Sequence, residues 1–195
     1  MIKDDLSIIG IDEAGRGALC GDMYMAACKL KKEIIGLNDS KKLSPKKREK
    51  LFDEIKENSE YLIVSFSPNM IDEFGLSYLL KLGLECFKMH FKDEVDKLVF
   101  DGNLDYQTKI KTLIKADLKI KSVMAASILA KVSRDRRMNE LDSVYPNYQI
   151  KSHKGYATLA HRNIIKKIGI SAIHRKSFCK NFLSNQTFSE KSLFD

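Results

Sequence analysis

The sequence has only four cysteines, Cys20, Cys28, Cys86 and Cys179, and no Cys-x-x-Cys pair among them. Neither a zinc-finger type of site nor a disulfide framework is signalled, which suits a reducing compartment. No stretch approaches the roughly 20 apolar residues that a spanning helix needs, and no charged lead with a long apolar run opens the chain. With 3 prolines and 10 glycines in 195 residues there is no Pro/Gly-rich linker, and no internal repeat or low-complexity tract is visible. The expectation is a soluble, unexported, cytoplasmic protein built as one domain over residues 1–195. A helical C-terminal portion from about 140 to 185 packs on it, followed by a flexible tail from about 186 to 195.

What is present is charge. Hydrophobic residues make up 44% and charged residues 31% of the chain, a globular balance, and 34 Lys plus Arg against 26 Asp plus Glu give a formal charge of +8. The cations gather in Lys41–Lys50, Lys109–Lys121 and Lys131–Arg137. Clustering favours a polyanion-binding surface, nucleic acid first, over uniform solubilising charge.

Local patterns give alternating strands and helices. Ile8 to Ile11 reads as a buried strand, and Met23 to Leu30 as a second strand paired back on it. Ser44 is a good N-cap with Pro45 at the first helical position, and Leu51, Phe52 and Ile55 give that helix an apolar face. Tyr61 to Phe66 is a strand stopped by Ser67-Pro68. Leu76, Leu80, Leu84, Phe87 and Phe91 have amphipathic-helix spacing, as do Ala125, Ile128, Leu129 and Val132 within a helix over residues 122–138. Ser127, Lys131 and Arg134 share another face of that helix, suited to phosphate contact or simply to solvent. Residues 152–158 read as an exposed polar loop, and Leu159 to Ile168 as a helix ended by Gly169.

Acids recur at strand ends. The first strand runs into Asp12, Glu13 and a Gly15-Arg16-Gly17 turn, and Lys97 to Phe100 ends on Asp101. Adjacent side chains on a continuing strand point to opposite faces, so Asp12 and Glu13 share a site only if the strand ends between or just after them. They make either a polar strand terminus or a metal-ligating pair beside a phosphate-contacting loop. A third position, Asp117, lies among Lys115, Lys119 and Lys121. Four carboxylates meeting at one sheet edge would repel one another strongly, and divalent cations would resolve this. Mg2+ suits oxygen ligands, whereas zinc would recruit His or Cys, absent from these positions. In a basic protein, such a cluster fits two-metal phosphodiester cleavage.

Five motifs in order carry a resemblance: Gly10-Ile11-Asp12-Glu13-Ala14-Gly15-Arg16-Gly17, Asp39-Ser40-Lys41-Lys42-Leu43, Ala125-Ala126-Ser127-Ile128-Leu129-Ala130-Lys131-Val132, Lys154-Gly155-Tyr156 and His174-Arg175-Lys176-Ser177-Phe178. Together, over residues 8–178, they resemble bacterial ribonuclease HII. The resemblance implies an α/β, ribonuclease H-like fold with a mixed five-stranded sheet flanked by helices. It implies a metal-dependent endoribonuclease that cuts the RNA strand of RNA/DNA hybrids. Cleavage 5′ of single ribonucleotides in duplex DNA, leaving 5′-phosphate and 3′-hydroxyl ends, is part of the same implication. Two Mg2+ or Mn2+ ions are implied as cofactors, held by Asp12, Glu13, Asp101 and Asp117, with Asp105 and Asp135 as substitutes for Asp117. Gly15, Arg16 and Gly17 would read the ribonucleotide, Tyr156 would pack against the neighbouring deoxynucleotide sugar, and Lys41, Lys42, Ser127 and Lys131 would hold phosphates.

The residue chemistry agrees with those roles. The 2′-hydroxyl distinguishes RNA from DNA, and glycine lets the backbone approach it. His153, His161 and His174 read as structural or phosphate-facing, since a two-metal site needs no histidine ligand. Where the family usually has prolines, this chain has Ala18 and Asp22, which loosens the φ restriction of the loop. Arg16, and the lack of a preceding substrate-binding domain, argue against a ribonuclease HIII-like hybrid nuclease; a non-catalytic hybrid-binding module would bind without metal and not cleave. Ser192-Leu193-Phe194 resembles the end of peptides that dock on bacterial sliding clamps.

Overall fold

The first strand, β1 (Ile9–Ala14), is the central strand of a five-stranded mixed sheet. β2 (Met23–Leu30) lies antiparallel beside it, and β3 (Ser59–Phe66) lies antiparallel to β2. On the other side β4 (Leu98–Asp101) and β5 (Lys111–Leu113) run parallel to β1, giving the spatial order β3-β2-β1-β4-β5. A computed structural model describes residues 5–38 and 40–183. Asp39 and the Ser192-Leu193-Phe194 motif therefore lie outside the described residues.

Alternation along β1 divides the core. Ile9 and Ile11 face a cluster with Leu79, Leu80, Leu84 and Phe87 of α3 (Leu76–His90). The opposite face packs on α4 (Lys121–Val144), whose Ala125, Ala126, Ile128 and Leu129 are buried with Ala26 and Cys28. Burying each such Leu or Ile contributes on the order of 1.5–3 kcal/mol. Gly10 marks the closest approach, since a Cβ there would lie 2.2 Å from the Val123 backbone nitrogen. Only glycine fits under that helix.

The helix starts follow their caps. Ser44 accepts from the Lys47 N–H to open α1 (Pro45–Glu57), and Ser67 accepts from the Met70 N–H to open α2 (Pro68–Phe74). Ser67-Pro68 thus does more than stop β3; it begins a helix that the strand pattern hides. The exposed loop read over residues 152–158 is corrected: α5 (Ile150–His153) occupies its start, and His153 is buried. Thr158 then caps α6 (Leu159–Ile168), Gly169 follows it, and α7 (Lys176–Leu183) completes the described chain. No helix of the described residues is long and apolar enough to cross a membrane.

Candidate active site

The cleft opens where β1 outruns its neighbour. Pairing of β1 with β4 ends at Ile11 opposite Phe100, whereas pairing with β2 continues through Asp12, Glu13 and Ala14. β1 itself ends at Ala14, just after the acids as the sequence expectation requires, while its pairing with β4 stops before them. Asp12 accordingly faces α4 and Glu13 the opposite side of the sheet, and both border a cleft of about 480 Å³. Its other lining residues include Gly15, Arg16, Gly17, Lys41, Asp101, Ser127, Lys131 and Tyr156.

Carboxylate oxygens of Asp12, Asp101 and Asp117 lie within 4.8 Å of one another, a candidate metal-binding group. Asp101 reaches it from the end of β4 and orders the third member, because its two carboxylate oxygens accept the backbone N–H groups of Ala116 and Asp117 at 3.2 and 3.4 Å. Asp117 is only 6% exposed, in a short 3-10 turn after β5. Glu13 stands outside that group of three, with Oε1 3.7 Å from the Arg16 guanidinium and Oε2 buried without a hydrogen-bond partner. Asp105 accepts from the backbone of Gln107 and Lys109, and Asp135 pairs with Lys131 at 2.8 Å. Neither substitute for Asp117 belongs to the acidic group.

Charge in this cleft is strained. Burial, then the neighbouring Glu13 and Asp101 charges, push the Asp12 carboxyl well above the usual carboxylate range, against the Ser127 hydroxyl and the Glu13 N–H that favour the anion. Burial and Asp101 likewise raise Glu13, opposed by Arg16. Crowded acids with an orphaned buried carboxylate oxygen fit a divalent cation bound by hard oxygen ligands.

The basic residues divide sharply. Lys41 and Lys131 line the cleft, as does Ser127, whose hydroxyl lies 2.9 Å from that of Ser40. Lys42 is exposed on the same short turn as Lys41 without lining the cleft. Arg134, read as a phosphate-facing or solvated residue, is 0% exposed. Its Nε donates to the Asp22 carbonyl at 3.1 Å and its Nη2 to the Lys154 carbonyl at 2.8 Å. Arg136 pairs with Glu49, and Arg137 with Asp22 and Glu140, so much of the Lys131–Arg137 cluster is engaged within the protein.

Behind the Gly-Arg-Gly turn a second buried cation does similar work. Arg175 donates to the Arg16 carbonyl at 2.9 Å and twice to the Gly21 carbonyl, at 3.1 and 2.8 Å. Leu19 N–H to the Gly155 carbonyl and Gly21 N–H to the Ile173 carbonyl add further ties, and Ala18 N–H closes the turn on the Gly15 carbonyl at 3.3 Å. The loop lacking both prolines is therefore braced from outside itself. Gly15 has φ of 87°, and a Cβ there would strike the Arg134 side chain at 2.0 Å. Neither arginine brace was legible as such in the sequence, although His174-Arg175 lay within a motif.

Comparison with known proteins agrees with this geometry. A family model described as Ribonuclease HII matches residues 9–181. A ribonuclease HII from Campylobacter concisus is 57% identical over 88% of this chain and 92% of its own length. The fold is similar to that of ribonuclease HII in the PCNA complex from Archaeoglobus fulgidus, with TM-score 0.72, 25% identity, and coverage of 94% of this chain and 99% of that one. Ribonuclease H2 from Pyrococcus horikoshii gives TM-score 0.67 at 25% identity, covering 91% of this chain and 97% of that one. A five-stranded mixed sheet with acids gathered where β1 and β4 part, and a family match running from β1 into α7, place the chain in the ribonuclease HII family of ribonuclease H-type endonucleases.

Proposed function

We propose that the chain hydrolyses the RNA strand of RNA/DNA hybrids and cuts 5′ of single ribonucleotides embedded in duplex DNA, leaving 5′-phosphate and 3′-hydroxyl ends. The observation that carries this reading is the convergence of Asp12, Asp101 and Asp117 beside a cleft rimmed by Gly15-Arg16-Gly17 and Tyr156. Asp12, Asp101 and Asp117, with the free Oε2 of Glu13, would hold Mg2+ or Mn2+. Two such ions, when bound, supply activation of the attacking water and stabilisation of the leaving oxygen.

The rest is done by the chain. Lys41, Lys131 and the Ser127 hydroxyl border the cleft where backbone phosphates would lie, contributing affinity and register rather than sequence preference. Lys42, exposed beside Lys41, adds longer-range attraction. Backbone groups of the braced Gly15-Arg16-Gly17 turn approach the ribose closely, where the 2′-hydroxyl is the distinguishing group. Arg16 is held from two sides, by Glu13 and by the Tyr106 hydroxyl, to which its Nη2 donates at 3.1 Å. Tyr156, 37% exposed with the Arg134 guanidinium 5.0 Å from its ring centre, offers the sugar next to the ribonucleotide a flat apolar surface.

The test uses a DNA duplex with one ribonucleotide and a full RNA/DNA hybrid, each with and without Mg2+ or Mn2+. Metal-dependent cleavage 5′ of the lone ribonucleotide is the expected result. Cleavage of the hybrid alone would favour a ribonuclease HIII-like activity, and metal-independent binding without cleavage a hybrid-binding module. Retained activity in Asp101→Asn would remove the proposed role of the acids. Binding of a bacterial sliding clamp through the C-terminal tail is a separate proposal; unchanged clamp capture after deletion of residues 190–195 would end it.

A further inference from the structure

Three histidines lie together behind Tyr156, and none of them lines the acidic cleft. His153 and His161 have ring centres 4.0 Å apart with planes inclined by 16°, and the His161 Nε2 lies 3.2 Å from the His174 Nε2. All three are buried. Cys20 completes a group with His161 and His174 whose ligand atoms lie within 4.8 Å of one another, which by composition alone resembles a transition-metal site.

The hydrogen bonds decide otherwise. His161 Nδ1 lies 3.0 Å from the Tyr156 carbonyl, an acceptor only, so Nδ1 carries the proton and Nε2 is left as an acceptor. His174 Nδ1 accepts the Ser171 N–H at 3.1 Å, so its proton is on Nε2 and points to His161. His153 Nδ1 accepts the Gly155 N–H at 3.1 Å, and its Nε2–H donates to the Tyr148 carbonyl at 2.9 Å. A directional chain results: Ser171 N–H to His174, His174 to His161, His161 to the Tyr156 carbonyl. Every ring nitrogen is used with all three rings neutral, and a metal on His174 Nε2 would displace the proton that this arrangement requires. Burial independently favours neutrality, pulling His161 and His174 down to about 4.

The chain of bonds ends on the backbone of the residue that rims the cleft. The Tyr156 carbonyl accepts from both His161 and the Thr158 N–H, the latter at 2.8 Å, so both its lone pairs are fixed. Gly155, with φ of 81°, is held by His153 on one side and by Leu19 N–H on the other, and has no room for a Cβ, which would meet the Cys20 carbonyl at 2.6 Å. His174 pairs with Cys20 across a backbone bridge, and Arg175 next to it grips the Arg16 and Gly21 carbonyls. One buried unit thus ties the turn carrying Arg16 to the segment carrying Tyr156.

We infer that His161, oriented by His174 and stacked on His153, is a positioning residue that sets the placement of Tyr156 relative to the Gly15-Arg16-Gly17 turn. This rests on the reading of Tyr156 as the surface for the sugar beside the ribonucleotide. Asparagine places a donor near the Nδ1 position and glutamine near the Nε2 position, so the two substitutions separate the bond to Tyr156 from the bond to His174. His161→Gln should lower kcat/KM on the single-ribonucleotide duplex about tenfold, the equivalent of one lost hydrogen bond, and His161→Asn should restore most of it. In a Tyr156→Ala background His161→Gln should cost little more.

Additive losses in the double variant, or equal losses in the Asn and Gln variants, would overturn the inference while leaving the role of Tyr156 intact. A Tyr156→Ala enzyme as active as the unaltered one would instead overturn the reading of Tyr156, and the inference with it. The unaltered protein gives a check that needs no variant. Nitrogen-15 NMR at pH 7 in Mg2+ should show His161 as the neutral Nδ1–H tautomer and His153 and His174 as neutral Nε2–H tautomers. A charged His161, its opposite tautomer, or one equivalent of zinc retained on Cys20, His161 and His174 in the purified protein would each sink the idea.

Discussion

Two sets of charges lie on either side of the segment from Gly15 to Asp22, and the fold treats them differently. In front, Asp12, Glu13 and Asp101 line a cleft with Asp117 buried beside Asp12 and Asp101, the Glu13 Oε2 is left unpartnered, and the Asp12 and Glu13 carboxyls are held above their ordinary range. Behind, Arg134 and Arg175 are fully buried, yet they donate to the carbonyls of Arg16, Cys20, Gly21, Asp22 and Lys154. Arg134 Nη1 is the one buried guanidinium nitrogen there with no partner among the described residues. On the proposed reading, the buried arginines are largely matched by dipoles of their own chain, whereas the acids would find their partners in metal and ligand.

The comparison breaks first at the acids. Asp12→Asn should reduce cleavage about a thousandfold while leaving the thermal midpoint unchanged or higher, since it removes a buried charge repelled by Glu13 and Asp101. Single-turnover cleavage with calorimetry on the same sample reads both. Arg175→Met should do the reverse in stability, costing about 3–5 kcal/mol in urea unfolding by leaving the Arg16 and Gly21 carbonyls without their donor.

Acid sharpens the contrast, because the two regions respond with opposite sign. His161 and His174 titrate near 4 when folded and near 6.5 when unfolded, so the unfolded chain takes up protons first. Their stability contribution is present above 6.5 and is lost as pH falls toward 4, on the order of 2 kcal/mol per histidine by pH 5. Burial shifts His153 the same way, opposed by the Tyr148 carbonyl and then by Asp142. Asp12 and Glu13, raised on folding, are relieved as pH falls. Urea midpoints between pH 5 and 7.5 in chelator should therefore fall more steeply for Asp12→Asn than for the unaltered protein. Divalent cation added at pH 7.5 should raise the midpoint of the unaltered protein and lose most of that effect in Asp12→Asn. The smallest effect belongs to Ala18→Pro: the lost turn hydrogen bond and the restricted unfolded chain offset, giving a change in midpoint equivalent to less than about 1 kcal/mol.

Much of the fold was legible because its signals are local. Ser44-Pro45 and Thr158 cap helices where they fall, Gly169 follows one, and β2 matches its apolar run residue for residue. Shorter elements were hidden. The α2 helix looked like a strand stop, β5 sits inside a charged run, and α5 is a single turn. The candidate site was partly legible: the motifs and the strand that ends on Asp101 bring Asp12, Asp101, Lys41, Ser127, Lys131 and Tyr156 to one cleft. Arg134 was misplaced because a cation on a polar helix face looks the same whether that face meets water or backbone carbonyls. The histidine unit was invisible because its members are spread from α5 to the residues before α7.

The sequence by itself determined which groups are available and where strands and helices begin, since caps, alternation and glycine freedom act over a few residues. Tertiary structure alone decided which acids meet. Asp12, Asp101 and Asp117 converge because β4 pairs in parallel with β1 only as far as Ile11 and then anchors the following turn through Asp101. The register of one strand pair, which no local pattern encodes, makes the cleft.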